Sequence, residues 1–310
     1  MYELLDKIDS PADIKAFSME QLRTLCAELR QYIVECCAGN PGHLASSLGA
    51  VEIIVGVHYV YDTPQDKLVF DVGHQAYAHK ILTGRREAFA SMRTAGGISG
   101  FPSRDESPYD AFGVGHSSTS VSVALGLAEA ARLQKRKEKV IALIGDGAMT
   151  GGLAFEGLNN AGESHADLLV ILNDNNQSIE SNTGAIHRHL LNLTTSRSYN
   201  TFKNRVWNFL GDNAFRRFLQ RWVRGFKSWL VGKPGGDLFE SLGFRYFGPI
   251  DGNDIAEVVQ TLRKLSGIPG PRLLHCLTVK GKGYAPAEAD PVTWHAPARF
   301  DPATADRIHP

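Results

Sequence analysis

The sequence of 310 residues is 43% hydrophobic and 21% charged, which is the composition of a globular chain with enough apolar material for a sizeable core. Thirty-three Lys and Arg balance thirty-three Asp and Glu, so no net charge draws the whole chain to nucleic acid or to an acidic membrane surface. Any polyanion must therefore be bound by a local site. The length allows two small domains or one large α/β domain with insertions.

The four cysteines, two of which are the adjacent Cys36 and Cys37, have no regular spacing. This pattern is typical of neither a disulfide framework nor a tetrahedral metal site, and it favours a reducing compartment such as the cytoplasm. The N-terminal residues carry acids, and no run approaches the roughly 18 apolar residues of a membrane span. We therefore expect a soluble cytoplasmic protein without a membrane or nucleic-acid partner.

The first element predicted along the chain is a helix, because apolar residues recur at helical spacing from Leu22 to Ile33. The turn at Ser10–Asp13 is expected to open this helix, and the sequence Gly39–Gly42 to close it. Further helical patterns follow at Ser118–Leu133, Leu153–Ala161 and Ile255–Leu265.

Short apolar runs alternate with these helical patterns and predict strands at Leu68–Phe70, Val140–Ile144, Leu168–Leu172 and Leu273–Leu277. Runs that are apolar throughout indicate strands buried on both faces. The predicted fold class is therefore α/β, with a mostly parallel sheet and helices on both faces. In such sheets ligands bind beyond the carboxyl ends of the strands. We therefore expect the functional residues in the loops that follow these apolar runs.

The segment from Ser181 to Gly235 differs from the rest in composition. It holds ten Lys or Arg and a single acid, Asp212, for a local charge of +9, together with nine aromatic residues. Basic residues interleaved with aromatics are compatible with nucleic-acid or anionic-lipid binding. The alternative is an amphipathic helical insertion that packs its aromatics and exposes its arginines. We favour this alternative. We expect the insertion to be partly mobile and to cover the ligand-binding cleft at the carboxyl ends of the strands.

Polar motifs follow two of the predicted strands. Gly145-Asp146-Gly147 comes directly after one strand and directly before a helix, and Asn175 lies 29 residues beyond Asp146, at the end of the next strand. Gly-Asp-Gly alone is a common strand-to-helix turn. Two adjacent strand ends that present a carboxylate and a carboxamide oxygen, however, suit Mg²⁺ bound together with a diphosphate. The glycines and the following helix N-terminus would let the backbone approach the phosphates.

With this motif pair, the sequence resembles thiamine diphosphate enzymes, and several further stretches make it similar to the 1-deoxy-D-xylulose-5-phosphate synthase family over nearly its whole length. Those stretches are Pro41–Gly49, Asp71–Tyr77, His79–Arg86, Gly97–Pro102, Gly115–Ser120 and Gly248–Gly252. The resemblance implies a single thiamine diphosphate- and Mg²⁺-binding domain over residues 1–310. It also implies condensation of pyruvate with glyceraldehyde 3-phosphate, with loss of CO₂, in the synthesis of isoprenoid precursors, thiamine and pyridoxal.

The resemblance assigns roles to individual residues. It implies that Mg²⁺ is bound by Asp146, Asn175 and the backbone carbonyl of Gln177. The positions that match contacts to the cofactor are His74, Gly115, Ser117, Gly147, Ala148 and Lys280, in addition to Asn175. Those that match histidines facing the reacting carbons are His43, His116 and His295. Imidazoles suit proton transfer at neutral pH, although an arbitrary histidine among the eleven is more often structural.

Two positions depart from the family pattern. Asn253 stands where the family usually has His, and Asn159-Asn160 stands where Asn-His is usual. Neither position is an implied metal ligand, so these departures raise a question about loop geometry more than about cofactor binding.

Family members are about twice as long as this chain, and their second domain supplies the glutamate that activates the cofactor and the arginines that bind the sugar phosphate. We find no other candidate for that glutamate, and Glu156 is interpreted as structural or as an interdomain contact. The sequence is therefore expected to be the diphosphate-binding half, inactive alone and associating as a homodimer or with a chain that carries the missing domain. The alternatives are a subunit of a split transketolase-like enzyme that acts on other sugars, and a non-catalytic thiamine diphosphate-binding protein.

Overall fold

Five parallel strands form one sheet in the computed structural model, which describes residues 2–176 and 237–308. The strands are β1 (Lys67–Phe70), β2 (Val140–Gly145), β3 (Leu168–Asp174), β4 (Arg245–Asp251) and β5 (Arg272–Leu277). Their spatial order is β1-β2-β3-β5-β4. The α/β fold with a parallel sheet is thus confirmed, and the predicted insertion at 181–235 lies outside the described residues, as does Gln177.

The central strands are buried on both faces. Alternate residues of β3 such as Leu169 and Ile171 belong to one large apolar core, while Val170 and Leu172 are buried on the opposite face. Runs of Leu, Ile and Val satisfy this requirement because each side chain along such a strand meets a covering helix. Four of the five strands lie where the sequence predicted them.

The edge strand β4 was not predicted. It contains Gly248-Pro249, a pair that is typical of turns, and its pairing with β5 shifts register between Phe247 and Ile250. Proline cannot donate a ladder hydrogen bond, so its position on an edge strand at a pairing irregularity is the place where the sheet tolerates it.

Eleven α-helices are present in the described residues. They are α1 (Met19–Gly39), α2 (Leu44–Gly49), α3 (Val51–Val60), α4 (Tyr77–Lys80), α5 (Arg86–Phe89), α6 (Ser120–Leu133), α7 (Asp146–Met149), α8 (Gly152–Ser164), α9 (Asp237–Ser241), α10 (Ile255–Ser266) and α11 (Ala285–Ala289). Short 3₁₀ turns cover Leu5–Lys7 and Asp13–Ala16, and a π-helical turn covers Ile81–Arg85. No helix of this described part has both the length and the apolar composition needed to cross a membrane.

Helix α1 begins later than the sequence predicted. The opening turn at Ser10–Asp13 leads into a 3₁₀ turn, and Ser18 is the actual N-cap. The Ser18 side chain accepts a hydrogen bond from the backbone N–H of Gln21, and the Gln21 side chain accepts one from the backbone N–H of Ser18. This capping box satisfies two donors that a helix start leaves without partners.

The helices form layers on the two faces of the sheet. Helices α1, α3, α4 and α10 pack with one another over one face, whereas α6 packs on α8 and on strands β1 and β2. Described residues 2–176 and 242–308 belong to one compact unit, and α9 belongs to a second unit, of which residues 237–241 are described.

Gly162 on α8 marks a point of close packing. A Cβ atom at this position would overlap the backbone carbonyl of Leu242. We predict that Gly162→Ala lowers the free energy of unfolding by about 1–3 kcal/mol, because a buried site without room must shift its backbone. Gly126→Ala, on α6, is the matched control: that glycine is exposed with nothing within 4 Å of an added Cβ.

The control replacement should be neutral or raise the unfolding free energy by up to about 1 kcal/mol through helix propensity. Urea unfolding of both variants provides the measurement. Equal free energies of unfolding for the two variants would show that α8 packs less tightly against residue 242 than the structure indicates.

Candidate active site at the strand ends

A cavity of about 490 Å³ lies at the carboxyl ends of the strands, where α/β sheets bind ligands. The loops after β1, β2, β3 and β5 form its walls together with α2 and residue 295. Its lining includes His43, Ser46, Val72, His74, Gln75, Ser117, Gly145, Asp146, Gly147, Ala148, Asn173, Asn175, Lys280 and His295. Most of the residues predicted from the sequence therefore meet in one place.

Asp146 and Asn175 enter this cavity from adjacent strands. The register pairs Gly145 on β2 with Asn173 on β3, so each of the two side chains follows its strand by only one or two residues. A carboxylate and a carboxamide oxygen are ligands that Mg²⁺ accepts. Among the described residues no three His, Cys, Asp or Glu side chains form a metal-binding group, so a cation here would depend on neutral oxygens such as that of Asn175.

The carboxyl of Asp146 has an unusual environment. Burial, followed by the charge of Asp174 and a hydrogen bond with it, raises the pKa of Asp146 well above its ordinary value. Burial also opposes ionisation of Asp174, but the hydrogen bond and charge of His275 outweigh it and lower the pKa of Asp174. Asp174 is thus the charged member of the pair.

Asp174 and His275 were missed by the sequence reasoning, which used only the flanking Asn175. Both are buried, and His275 Nε2 lies 2.8 Å from Asp174 Oδ2. The available signal was an ionisable residue within one predicted apolar strand, His275, and another just after the neighbouring one, Asp174, because burial of either without a partner is costly.

Three histidines cluster on one side of the cavity. The ring centroids of His43 and His295 are 5.4 Å apart, and His74 lies 5.8 Å from His43 and 5.9 Å from His295. Ser46 Oγ lies 3.2 Å from His295 Nδ1, and the ring of Phe101 lies 5.6 Å from that of His43. The helix start at residue 43 and the loops at 74 and 295 bring these rings together from distant parts of the sequence.

All three imidazoles are held in the neutral form. Burial and then the charge of Arg93 lower the pKa of His43 to about 4. Burial, followed by the charges of Lys280 and His43, lowers the pKa of His295 to about 4, and burial, followed by His43, His295 and Lys280, lowers the pKa of His74 to about 3. Neutral imidazoles can both donate and accept a proton at pH 7.

Two features of the cavity fit a phosphate-bearing ligand. His74 Nδ1 is buried without a hydrogen-bond partner in the described part of the chain, so a polar ligand atom would satisfy it. Lys280 is 5% exposed, and burial lowers its pKa while the charge of Asp146 opposes that shift. An anion near this ammonium would stabilise its charged form.

Not every predicted residue lies in the cavity. Gly115 and His116 are exposed and do not line it, and His116 Nδ1 lies 2.9 Å from the backbone carbonyl of Ser117. Ser117 and Ala148 do line it. The structure thus places His43 in the cavity lining and His116 outside it.

The loop that carries Ser117 is secured by Asp71, a buried residue after β1 that the sequence reasoning did not single out. Its two carboxylate oxygens accept the backbone N–H groups of Ser118 at 2.7 Å and Ser120 at 2.9 Å. The Ser118 hydroxyl in turn donates to the carbonyl of Ala148 at 2.8 Å. These bonds tie three cavity loops together.

Asn253, which departs from the family pattern, holds its loop in place through three side-chain hydrogen bonds. Its Nδ2 donates to the carbonyl of Gly49 and to Glu52, each at 3.1 Å, and its Oδ1 accepts the backbone N–H of Val279 at 2.8 Å. Asn253 therefore secures the backbone next to Lys280. The other departure, at Asn159-Asn160, lies on the exposed side of α8.

Neither of the glutamates closest to the site motifs lines the cavity. Glu52 is buried in a bidentate ion pair with Arg30, and Glu156 lies in a separate groove between α6 and α8. Glu156 is exposed there, and its interpretation as structural or as an interdomain contact stays a prediction.

The solved structures most relevant to this fold are transketolases. The Campylobacter jejuni transketolase matches with a TM-score of 0.67 at 21% identity, over 90% of this chain and 41% of that enzyme. The Leishmania mexicana transketolase matches with a TM-score of 0.61 at 17% identity, over 87% of this chain and 38% of that enzyme. The chain therefore has a transketolase-like fold with its cavity at the strand ends.

Sequence comparison is more specific. A family model described as 1-deoxy-D-xylulose-5-phosphate synthase matches residues 5–278. Proteins of that name from Cytophaga hutchinsonii and Porphyromonas gingivalis are 53% and 51% identical, over 99% and 98% of this chain. The chain belongs to the 1-deoxy-D-xylulose-5-phosphate synthase family. It spans about half the length of these relatives, 49% and 48% respectively.

The histidine cluster generates a testable prediction. We expect the imidazoles of His43 and His295 to titrate near pH 4 in the folded chain, observed by NMR of their ring resonances. In the unfolded chain the same imidazoles bind protons near pH 6.5. Their contribution to the free energy of unfolding is therefore fully present above pH 6.5 and is lost as the pH is lowered towards 4. His43→Gln should flatten part of this dependence. Titration of His43 near 6.5 in the folded chain would contradict the buried cluster.

Proposed function

We propose that the chain is the diphosphate- and Mg²⁺-binding part of a thiamine diphosphate-dependent transferase that condenses pyruvate with glyceraldehyde 3-phosphate, releasing CO₂, to give 1-deoxyxylulose 5-phosphate. The observation that carries this proposal is the convergence of Asp146, Asn175 and Lys280 with three neutral histidines in one cavity. Membership of the family supports the choice of substrates.

The residues of the cavity would bind different parts of the cation and cofactor. Asp146 and Asn175 would bind the cation, with the backbone carbonyl of Gln177 as a further ligand. The backbone at Gly147 and Ala148, with Ser117 and His74, would contact the diphosphate. Lys280 would offset its negative charge.

Thiamine diphosphate, when bound, supplies the electron sink that allows the bond to the carboxylate carbon of a 2-oxoacid to break. The guanidinium of Arg93 lies 3.4 Å from His43 Nδ1 and can only donate, so Nδ1 accepts and the exchangeable proton is on Nε2. His43 and His295 would then donate or accept protons at substrate oxygens, with Ser46 orienting His295.

We further propose that the working protein is a homodimer, or a complex with a chain that carries the second domain of the relatives. Leu133 on α6 and Leu153 on α8 are 73% and 43% exposed, and burial of such apolar side chains would favour an association. The four cysteines are all free, which supports a reducing compartment such as the cytoplasm. The overall charge balance gives no support to a nucleic-acid or membrane partner.

The metal and diphosphate assignment is tested by calorimetric titration of the chain with thiamine diphosphate and Mg²⁺. Asp146→Asn keeps the shape of the side chain but removes the charge. We expect it to weaken Mg²⁺-dependent binding by more than about 100-fold, since even residues behind the ligands are worth about 10–100-fold. Asp105→Asn, at an exposed loop position, is the matched control and should bind as the unaltered chain does. Unchanged binding by Asp146→Asn would reject the assignment.

The activity is tested with pyruvate and glyceraldehyde 3-phosphate, using this chain with and without a second chain that covers the remaining length of the Cytophaga hutchinsonii relative. We expect 1-deoxyxylulose 5-phosphate and CO₂ in equal amounts only when both chains are present. Turnover of other sugars alone would favour a split transketolase-like enzyme, and binding without turnover in any pairing would favour a non-catalytic thiamine diphosphate-binding protein. Turnover by this chain alone would show that an activating acid within it was overlooked.

A further inference from the structure

A chain of hydrogen bonds runs across three strands behind the Asp146–Asn175 pair. The Tyr246 hydroxyl on β4 lies 2.7 Å from His275 Nδ1 on β5, and His275 Nε2 lies 2.8 Å from Asp174 Oδ2 on β3. His275 is fully buried and Asp174 is 7% exposed. Neither Tyr246, His275 nor Asp174 lines the cavity.

The chemistry of these groups sets the direction of the bond to Asp174. A carboxylate only accepts hydrogen bonds, so His275 donates through Nε2 to Asp174. The Tyr246 hydroxyl can both donate and accept, so it hydrogen-bonds to Nδ1 whether or not that nitrogen carries a proton. The imidazole is therefore fixed in one orientation by the Tyr246 hydroxyl on one side and the Asp174 carboxylate on the other.

Asp174 also forms hydrogen bonds that hold the turn containing Asn175. Its Oδ1 accepts the backbone N–H of Asn176 at 3.0 Å, and its backbone carbonyl accepts the N–H of Thr278 at 2.9 Å. Asn176 has a φ of 62°, a left-handed conformation that a side-chain bond to its N–H stabilises. The turn that presents Asn175 is thus held at both of its ends.

We propose that His275 and Tyr246 are positioning residues that hold Asp174, and through it the turn at Asn175 beside Asp146, in the geometry required to bind a divalent cation. This inference rests on the proposed function, because that function places the cation at Asp146 and Asn175. Groups behind metal ligands commonly contribute about 10–100-fold to metal affinity by fixing ligand orientation.

Three replacements of His275 separate its contact with Asp174 from its contact with Tyr246. Gln places its carboxamide nitrogen near the position of Nε2, whereas Asn places its carboxamide near Nδ1. His275→Gln should therefore retain the bond to Asp174, and His275→Asn and His275→Leu should lose it. In calorimetric titrations of Mg²⁺ in the presence of thiamine diphosphate, we expect roughly 10–100-fold weaker binding for Asn and Leu, and a much smaller change for Gln.

The role of Tyr246 is tested by Tyr246→Phe, which removes only the hydroxyl. We expect a several-fold loss of Mg²⁺ affinity, because the imidazole keeps its bond to Asp174 but loses its fixed orientation. Tyr59→Phe is the matched control, since the Tyr59 hydroxyl also donates a hydrogen bond, to the carbonyl of Phe17 at 3.0 Å. That variant should bind Mg²⁺ as the unaltered chain does.

A second readout does not depend on the metal. NMR of ¹⁵N-labelled chain should show the proton of His275 on Nε2, and the Asn176 amide should exchange slowly in the unaltered chain and in His275→Gln but faster in His275→Asn and His275→Leu. Folding of every variant is checked by thermal unfolding before titration.

The outcomes separate this inference from the proposed function. Tight binding by the unaltered chain with graded loss in the order Gln, Asn and Leu supports both. Equal Mg²⁺ affinity of the unaltered chain, His275→Asn and His275→Leu overturns the positioning role and leaves the proposed function standing. Absence of Mg²⁺ binding by the unaltered chain overturns the proposed function and this inference with it, even if the Asn176 amide is protected.

Discussion

The parallel pairing of β2 with β3 is the constraint on which the site depends. Their register places Gly145 opposite Asn173, so both strands end at the same level of the sheet. A shift of one residue would turn Leu169 and Ile171 away from the large apolar core, so the fit of each side chain against its own layer of helices holds the register. Asp146 and Asn175 consequently reach the same cavity although 28 residues separate them in the sequence.

Polar side chains at the strand ends then connect the loops to one another. The Asn173 side chain donates to Gln75 at 3.2 Å and accepts from the Thr278 hydroxyl at 2.6 Å, which links the loops after β1, β3 and β5. Each of these groups would be costly to bury alone, but the bonds satisfy them and exclude alternative loop positions. The cavity is therefore shaped by buried polar bonds and only indirectly by the apolar core.

The sequence predicted the parts of the structure that depend on local patterns. Four strands and their loops were found because strands buried on both faces are apolar throughout. The edge strand β4 was not predicted because Gly248-Pro249 is locally a turn signal. Only the pairing of this segment with β5 makes the segment a strand. His116, which its motif predicts beside the reacting carbons, lies outside the cavity lining with Nδ1 2.9 Å from the Ser117 carbonyl, and its role stays a prediction.

The same limit explains why Asp174 and His275 were not recognised as a pair. They are 101 residues apart in the sequence; His275 lies within one apolar run and Asp174 two residues after another, and each run by itself predicts only a strand. Asp71 was quoted within a family motif, but its bonds to Ser118 and Ser120 depend on how the loop after β1 meets the start of α6. Such contacts follow from tertiary packing, which a single sequence does not reveal.

Buried charges outside and inside the cavity have different environments. Away from the cavity, Asp110 accepts hydrogen bonds from Arg85 and contacts His79 at 2.8 Å, and although burial opposes ionisation these partners lower the pKa of Asp110. Inside the cavity, burial is the largest cause of the shifts at Asp146 and Lys280, and both shift towards the neutral form.

The three histidines of the cavity shift in the same direction for the same reason. A site in which burial disfavours both positive and negative charge stabilises a charge strongly once an opposite one is placed beside it, because little water is present to screen the pair. A divalent cation with a diphosphate brings both signs at once: the cation favours the ionised form of Asp146, and the anion favours the protonated form of Lys280. Under the proposed function, burial in the cavity would therefore favour the joint binding of cation and diphosphate over either ion alone.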